Sequence, residues 1–207
     1  MSNTLNDTVA LILCGGYSSR MGVDKGLKET NGTPWAQQLH QQLSAIRLTT
    51  YLSVRPDQTD AYHQRLPDIP LITDEVLTGI NGPLRGILSA HRQFTNKHLL
   101  LVPCDMPLLV KGVFALWMKT FQEQGKTVIS RTEKRFQPLC GIYHQLGLFQ
   151  LDELYQQQKL VDQSMHDILD NYLQPYYLDI LGDMVAMYQN LNTPQDKGQG
   201  FSSYAAL

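Results

Sequence analysis

Apolar residues fall along this chain in two kinds of block. One kind is short and continuous, as in TVALIL (8–13) and HLLLVP (98–103), the pattern of strands buried on both faces. The other recurs at helical spacing, as with Leu39, Leu43 and Ile46. The first strand is read in TVALILCGG and a helix over about Pro34 to Ile46. TTYLSVR and PLITDE read as the next strands. A further helix opens at Gly82-Pro83, where proline suits the first turn. HLLLVPCDMP is the most strand-like segment and ends abruptly in Asp105 and Pro107.

A helix over about Leu109 to Gln124 follows, stopped by Gly125. TVISRTE and PLCGIYH read as two strands joined by a polar bend. Two short helices fill about Gly147 to Tyr172, and QPYYLDI reads as a late strand. Strands alternating with amphipathic stretches predict an α/β protein with a mostly parallel central sheet and helices on both faces. There is no internal repeat. The expectation is a single domain over 1–207, with mobile tails at 1–7 and about 196–207.

Composition narrows the function classes. At 207 residues the chain can bury a core without disulfides or metals. A formal net charge of −2 argues against a non-specific grip on nucleic acid. No apolar run approaches the roughly 18 residues needed to span a bilayer, and MSNTLNDT lacks the features of a signal peptide. Cys14, Cys104 and Cys140 are widely spaced and read as reduced thiols. Cytoplasmic residence is expected, with no membrane and no nucleic acid among the partners.

The stretch LILCGGYSSRMGVDKG (11–26) follows the first strand, where ligands of parallel sheets bind. Glycines let backbone N–H groups approach phosphate oxygens, and Arg20 and Lys25 can neutralise their charge. The ATPase loop does not fit, because five residues separate Gly16 from Gly22 and Lys25 lies three further on. The dinucleotide fingerprint fails too: Gly15 and Gly16 are adjacent, and TTYLSVR carries no acid. Asp105, at the end of a buried strand facing this loop, is placed to hold Mg²⁺ between phosphates.

The ordered set Leu13, Gly15, Gly16, Ser18, Arg20, Met21, Gly22 and Lys25 resembles the nucleotidyltransferase loop. With DKGL and NGTP behind it, the chain resembles the molybdenum cofactor guanylyltransferase (MobA) family. The likeness continues through Asp74 in LITDE, GPLRG, PCDMP, QPLCGIY and NLNTP, over about Val9 to Asp196. It implies a three-layer Rossmann-like nucleotidyltransferase fold. It also implies transfer of GMP from GTP to the terminal phosphate of molybdopterin, with release of pyrophosphate.

On that resemblance Arg20, Lys25 and Asp105 are the catalytic candidates, with Asp105 carrying Mg²⁺ or Mn²⁺. Leu13, Cys14, Gly15, Gly16, Lys25, Ser53, Asp74 and Asp105 are nucleotide-binding candidates. Gln137, Asn190 and Asn192 fall on the acceptor side. The family further implies contact with the molybdenum-insertion enzyme and with molybdoenzyme chaperones.

Two places depart from the family. Leu52 stands where some relatives carry a nucleotide-contacting asparagine, so contact from that strand has to come from Ser53 or the backbone. Asp162 and Gln163 stand where relatives place a basic residue near the acceptor; Lys159 is the nearest cation, and Arg131, Lys134 or Arg135 are the substitutes. Transfer from CTP, another phosphorylated acceptor, and a non-catalytic cofactor carrier stay open as alternatives.

Overall fold

All six residues of the strand Thr8–Leu13 (β1) are buried, and their side chains divide between two cores. Ala10 and Ile12 join one cluster; Val9, Leu11 and Leu13 join the other. This alternation puts a helical layer on each face of the sheet. The computed structural model describes residues 4–16, 24–133, 135–161 and 163–191.

After β1 come a small hairpin, β2 (Glu29–Thr30) and β3 (Thr33–Pro34), then α1 (Trp35–Ser44) and β4 (Thr49–Val54). A 3₁₀ turn, Pro56–Gln58, leads into α2 (Thr59–Arg65), β5 (Leu71–Thr73), α3 (Pro83–Gln93) and β6 (His98–Pro103). The second half holds α4 (Lys111–Gln124), β7 (Val128–Thr132), β8 (Arg135–Tyr143), α5 (Gln145–Gln156), α6 (Met165–Ile168) and β9 (Tyr176–Asp179). The main sheet has the order β5-β4-β1-β6-β8-β7-β9. Only β8 runs against the others, pairing antiparallel with β6 and β7. The expected mostly parallel three-layer α/β fold is what forms.

Residues of α1, α2 and α4 pack on one face around Leu39, Tyr62, Phe114 and Trp117. Residues of α3, α5 and α6 cover the other, around Ile87, Leu148 and Ile168. Gly82 and Gly125 bracket two of these helices, both with positive φ (65° and 64°). Gly125 ends α4 in the left-handed conformation, as its sequence position predicts.

Three local readings need correction. TDAYHQR forms α2, which the sequence did not announce because Tyr62 is its one buried residue. The hairpin β2–β3 is too short to carry an alternation. The polar bend before PLCGIYH lies earlier than expected, since β8 begins at Arg135 and runs through Pro138. Pro138 has no N–H to give the ladder. Accordingly the β7–β8 register shifts between its pairs at Phe136 and Gly141, and β6 pairs only from Gly141 onward.

Candidate functional site

The β1–β4 and β1–β6 ladders each extend one bond beyond the end of β1. Cys14 N–H donates to the Ser53 carbonyl at 2.8 Å, and Cys104 N–H donates to the Leu13 carbonyl at 3.2 Å. The chain ends thus held together open into a cleft of about 340 Å³ at the carboxyl edge of the sheet. Residues from the glycine loop, β4, the start of α3, the end of β6 and β8 line it.

One wall is a buried acid. Ser53 and Asp74 are 1% and 6% exposed, and the Ser53 hydroxyl donates to Asp74 Oδ1 at 2.8 Å. Burial pushes the Asp74 carboxyl up to about 6, despite the Ser53 bond and the nearby Arg85 and Arg55 charges. Two glycines make room for this pair. A Cβ on Gly86 would run into Ser53 Oγ and stand 3.1 Å from Asp74 Oδ1; one on Gly15 would stand 3.0 Å from Asp74 Oδ2. The second glycine of GPLRG is therefore a packing requirement of the acid.

Across the cleft, Lys25 Nζ lies 2.9 Å from Asp105 Oδ2, with both side chains partly exposed. The Leu191 N–H donates to the Asp105 carbonyl at 2.8 Å, which brings Asn190 to the cleft wall. Among the described residues no group of three or more His, Cys, Asp or Glu side chains is placed to hold a metal. Asp105 lines the cleft with a carboxylate paired to Lys25, and would fit a hard divalent cation that takes its other ligands from phosphates and water.

The glycine loop is gripped by the turn that follows β4. Gln58 Nε2 donates to the Cys14 carbonyl at 3.2 Å, and Arg55 Nη1 donates to the Gly15 and Gly16 carbonyls at 2.9 and 3.1 Å. Arg55 Nε and Nη2 grip the Asp57 carboxylate at 3.0 and 2.9 Å. Gln58 Nε2 also donates to Asp24, at the far end of the loop.

Leu13, Cys14, Gly15, Gly16, Lys25 and Ser53 all line this cleft. So do Asp74, Asp105, Gln137 and Asn190. Arg20 and Asn192 lie outside the described residues. Leu52 is fully buried in the core on the α1 side, facing away from the cleft. Of the two neighbours, only Ser53 borders the site, and its hydroxyl proton is committed to Asp74.

Arg131 does not substitute for the missing acceptor cation. It pairs with Asp179 at 2.7 and 3.0 Å and lies over Tyr177. Arg135 is exposed and does not line the cleft; Lys134 and Asp162 are outside the described residues. Cys104 and Cys140 are buried free thiols: a hydrogen bond with Cys14, with burial, pushes the Cys104 thiol well up, and burial pushes the Cys140 thiol up.

Sequence reasoning missed Arg55, Gln58 and Arg85. Arg55 and Arg85 both line the cleft, and Arg85 is held by the Ile80 carbonyl at 2.8 Å and Asn81 Oδ1 at 3.2 Å. The available signal was position: Arg55 closes a parallel strand next to the glycine loop, where ligand-handling side chains collect.

The family model of MobA-like NTP transferase domains matches residues 10–175. The probable molybdenum cofactor guanylyltransferase of Geobacillus sp. (strain WCH70) is 27% identical over 93% of this chain and 97% of its own. The molybdenum cofactor guanylyltransferase of Vibrio cholerae is 28% identical over 94% of this chain and 91% of its own. In fold, the chain is similar to the crystal structure of molybdopterin-guanine dinucleotide biosynthesis protein A from Archaeoglobus fulgidus. Their TM-score is 0.72 at 20% identity, covering 91% of this chain and 94% of that one.

Proposed function

The chain belongs to the family of MobA-like NTP transferase domains, and from that premise we propose that it transfers GMP from GTP to the terminal phosphate of molybdopterin. The products are molybdopterin guanine dinucleotide and pyrophosphate. The single observation that carries the reading is the pairing within one cleft: a buried Ser53–Asp74 acid on one wall and the Lys25–Asp105 pair on the other. The names of the curated relatives support guanine as the base and the molybdenum cofactor as the acceptor.

The chemistry asks for little covalent help. An oxygen of the acceptor phosphate, already anionic at neutral pH, attacks the α-phosphorus. The bond from that phosphorus to the bridging oxygen breaks, and pyrophosphate leaves with the electron pair. No general base is needed. The obstacle is bringing two polyanions together, so positioning and charge neutralisation carry the acceleration.

Lys25 neutralises charge on the triphosphate and on departing pyrophosphate, with Arg20 assigned the same task. Asp74, when ionised, accepts from the guanine N1–H and exocyclic amine; adenine presents the reverse pattern there. Asp105 would hold Mg²⁺ or Mn²⁺, which supplies Lewis-acid polarisation of the phosphates. Gln137, Asn190 and Asn192 are assigned to the acceptor. We place the reaction in the cytoplasm, supported by three free buried cysteines.

The test follows label through the reaction. With Mg²⁺, molybdopterin and GTP labelled at either the α- or the γ-phosphate, the α-label is expected in the pterin product and the γ-label in pyrophosphate. CTP and ATP are expected to give little transfer. Transfer from CTP in preference to GTP would overturn the guanine assignment. No transfer from any nucleotide, by folded protein, would overturn the enzyme reading.

A further inference from the structure

Three consecutive carbonyls of the glycine loop, those of Cys14, Gly15 and Gly16, are bonded by side chains of one turn forty residues away. That turn is Arg55-Pro56-Asp57-Gln58. In a trans peptide the C=O and the following N–H point in opposite directions. Drawing the Cys14 and Gly15 carbonyls toward the turn therefore aims the N–H groups of Gly15 and Gly16 away from it. Both glycines line the cleft.

The turn is itself locked. Its backbone is fixed by the Gln58 side chain, whose Oε1 accepts from the Arg55 N–H at 2.8 Å. Pro56 fixes φ inside it. Gln58 is 2% exposed, and its amide also reaches Asp24, so one side chain ties the entry and exit of the loop together. Arg55 spans two carbonyls and a carboxylate at once, a geometry that a guanidinium fork provides and an ammonium does not.

We propose that Arg55 and Gln58 are positioning residues that pre-set the glycine loop to receive phosphate, acting through its carbonyls: Gln58 does not line the cleft, and Arg55, which does, has its guanidinium committed to the Gly15 and Gly16 carbonyls and to Asp57. The turn determines how much the phosphates add to nucleotide affinity, and leaves the contribution of the base to Asp74. This rests on the reading of the cleft as a nucleoside triphosphate site.

The discriminating quantity is a ratio. Dissociation constants for GTP, guanosine and inorganic tripolyphosphate are measured calorimetrically on the full chain and on R55K, Q58M and D57N. R55K keeps the charge and loses the fork; it is expected to weaken GTP and tripolyphosphate by about tenfold or more. Guanosine should stay within about twofold of wild type, on the scale of measurement scatter. Q58M should show the same phosphate-selective loss, although it carries no charge in either form. D57N, altering an exposed carboxylate that only steadies Arg55, should move in the same direction by a few-fold and serves if R55K fails to fold.

Equal losses for all three ligands would make the turn merely structural and overturn the proposal. Unchanged tripolyphosphate affinity in Q58M would overturn it as well, since a loss confined to R55K is what direct contact by Arg55 would give. A wild type that binds tripolyphosphate but does not prefer GTP fails the guanine reading instead, while the turn is still judged on tripolyphosphate. A wild type that binds neither overturns both.

Discussion

The two banks of the cleft are built differently. On the β1–β4–β5 bank, parallel ladders run to the strand ends, the loop carbonyls have side-chain partners, and a buried hydroxyl holds the buried acid. On the β8 bank, Pro138 interrupts the ladder, the register shifts, and Gln137 borders the cleft beside the apolar residues Leu139 and Cys140. The first bank is pre-organised, with its ordering cost met in folding. The second offers shape with few fixed polar contacts. The difference teaches that, among the described residues, this site is pre-organised by hydrogen bonds where a nucleotide is expected and permissive where the acceptor is expected. Specificity follows, because a bank with committed hydrogen bonds rejects a wrong partner by leaving polar groups unpaired, and an open one does not.

The largest expected effect comes from the residue joining the banks. Asp105→Asn removes the charge beside Lys25 and the oxygen set for a cation. Turnover should fall by about two orders of magnitude or more while nucleotide binding weakens less, read from single-turnover rates and titration. Unchanged turnover would discard the metal assignment.

Next comes Gly86→Ala, which pushes a methyl group against Ser53 Oγ and Asp74. Overpacking of this kind costs about 1–3 kcal/mol. Affinity for GTP should drop roughly tenfold or more at that cost, since the crowded groups are those assigned to the base. Affinity for tripolyphosphate should hold, and calorimetry with both ligands checks the split.

The pH response of Asp74 is smaller and has a definite sign. Its carboxyl is raised from its ordinary value to about 6 by burial, so it is ionised at neutral pH at a cost to the fold. GTP affinity should decline as pH falls through about 6, because a protonated acid cannot accept from guanine. Stability moves the other way: the contribution of this group is fully present below its unfolded pKa and lost as pH rises through about 6. Asp74→Asn should therefore flatten the pH dependence of GTP affinity and raise the melting temperature at pH 7.5, both measurable on one preparation. The least effect belongs to the permissive bank. Gln137→Ala should raise the KM for acceptor by a few-fold, the scale of one neutral hydrogen bond, and leave that for GTP unchanged.

The strand ends that meet at the cleft were the most legible part, for a physical reason. Strands buried on both faces must be continuously apolar, so β1 and β6 and the ends they present stand out in sequence. Lys25, Asp74 and Asp105 follow from those ends and from motif spacing. Arg55 and Gln58 did not, because their partners are backbone carbonyls forty residues away, which leave no residue-type signature. β8 was misjudged at its start because Pro138 reads as a break, whereas here it only opens the ladder. Helix α2 escaped because it is anchored through Tyr62 and shows no apolar stripe. The acceptor side was least legible: of the cations expected to substitute there, Arg131 is paired with Asp179 at the sheet edge and Arg135 does not line the cleft.

The measurement closest to the centre of this reading is equilibrium binding of GTP, CTP and ATP, with Mg²⁺ and without acceptor. A pre-organised nucleotide bank predicts that GTP binds alone, at least about tenfold tighter than either competitor, on the scale of one or two hydrogen bonds to the base. Equal affinities for the three, or no binding until molybdopterin is added, would contradict it.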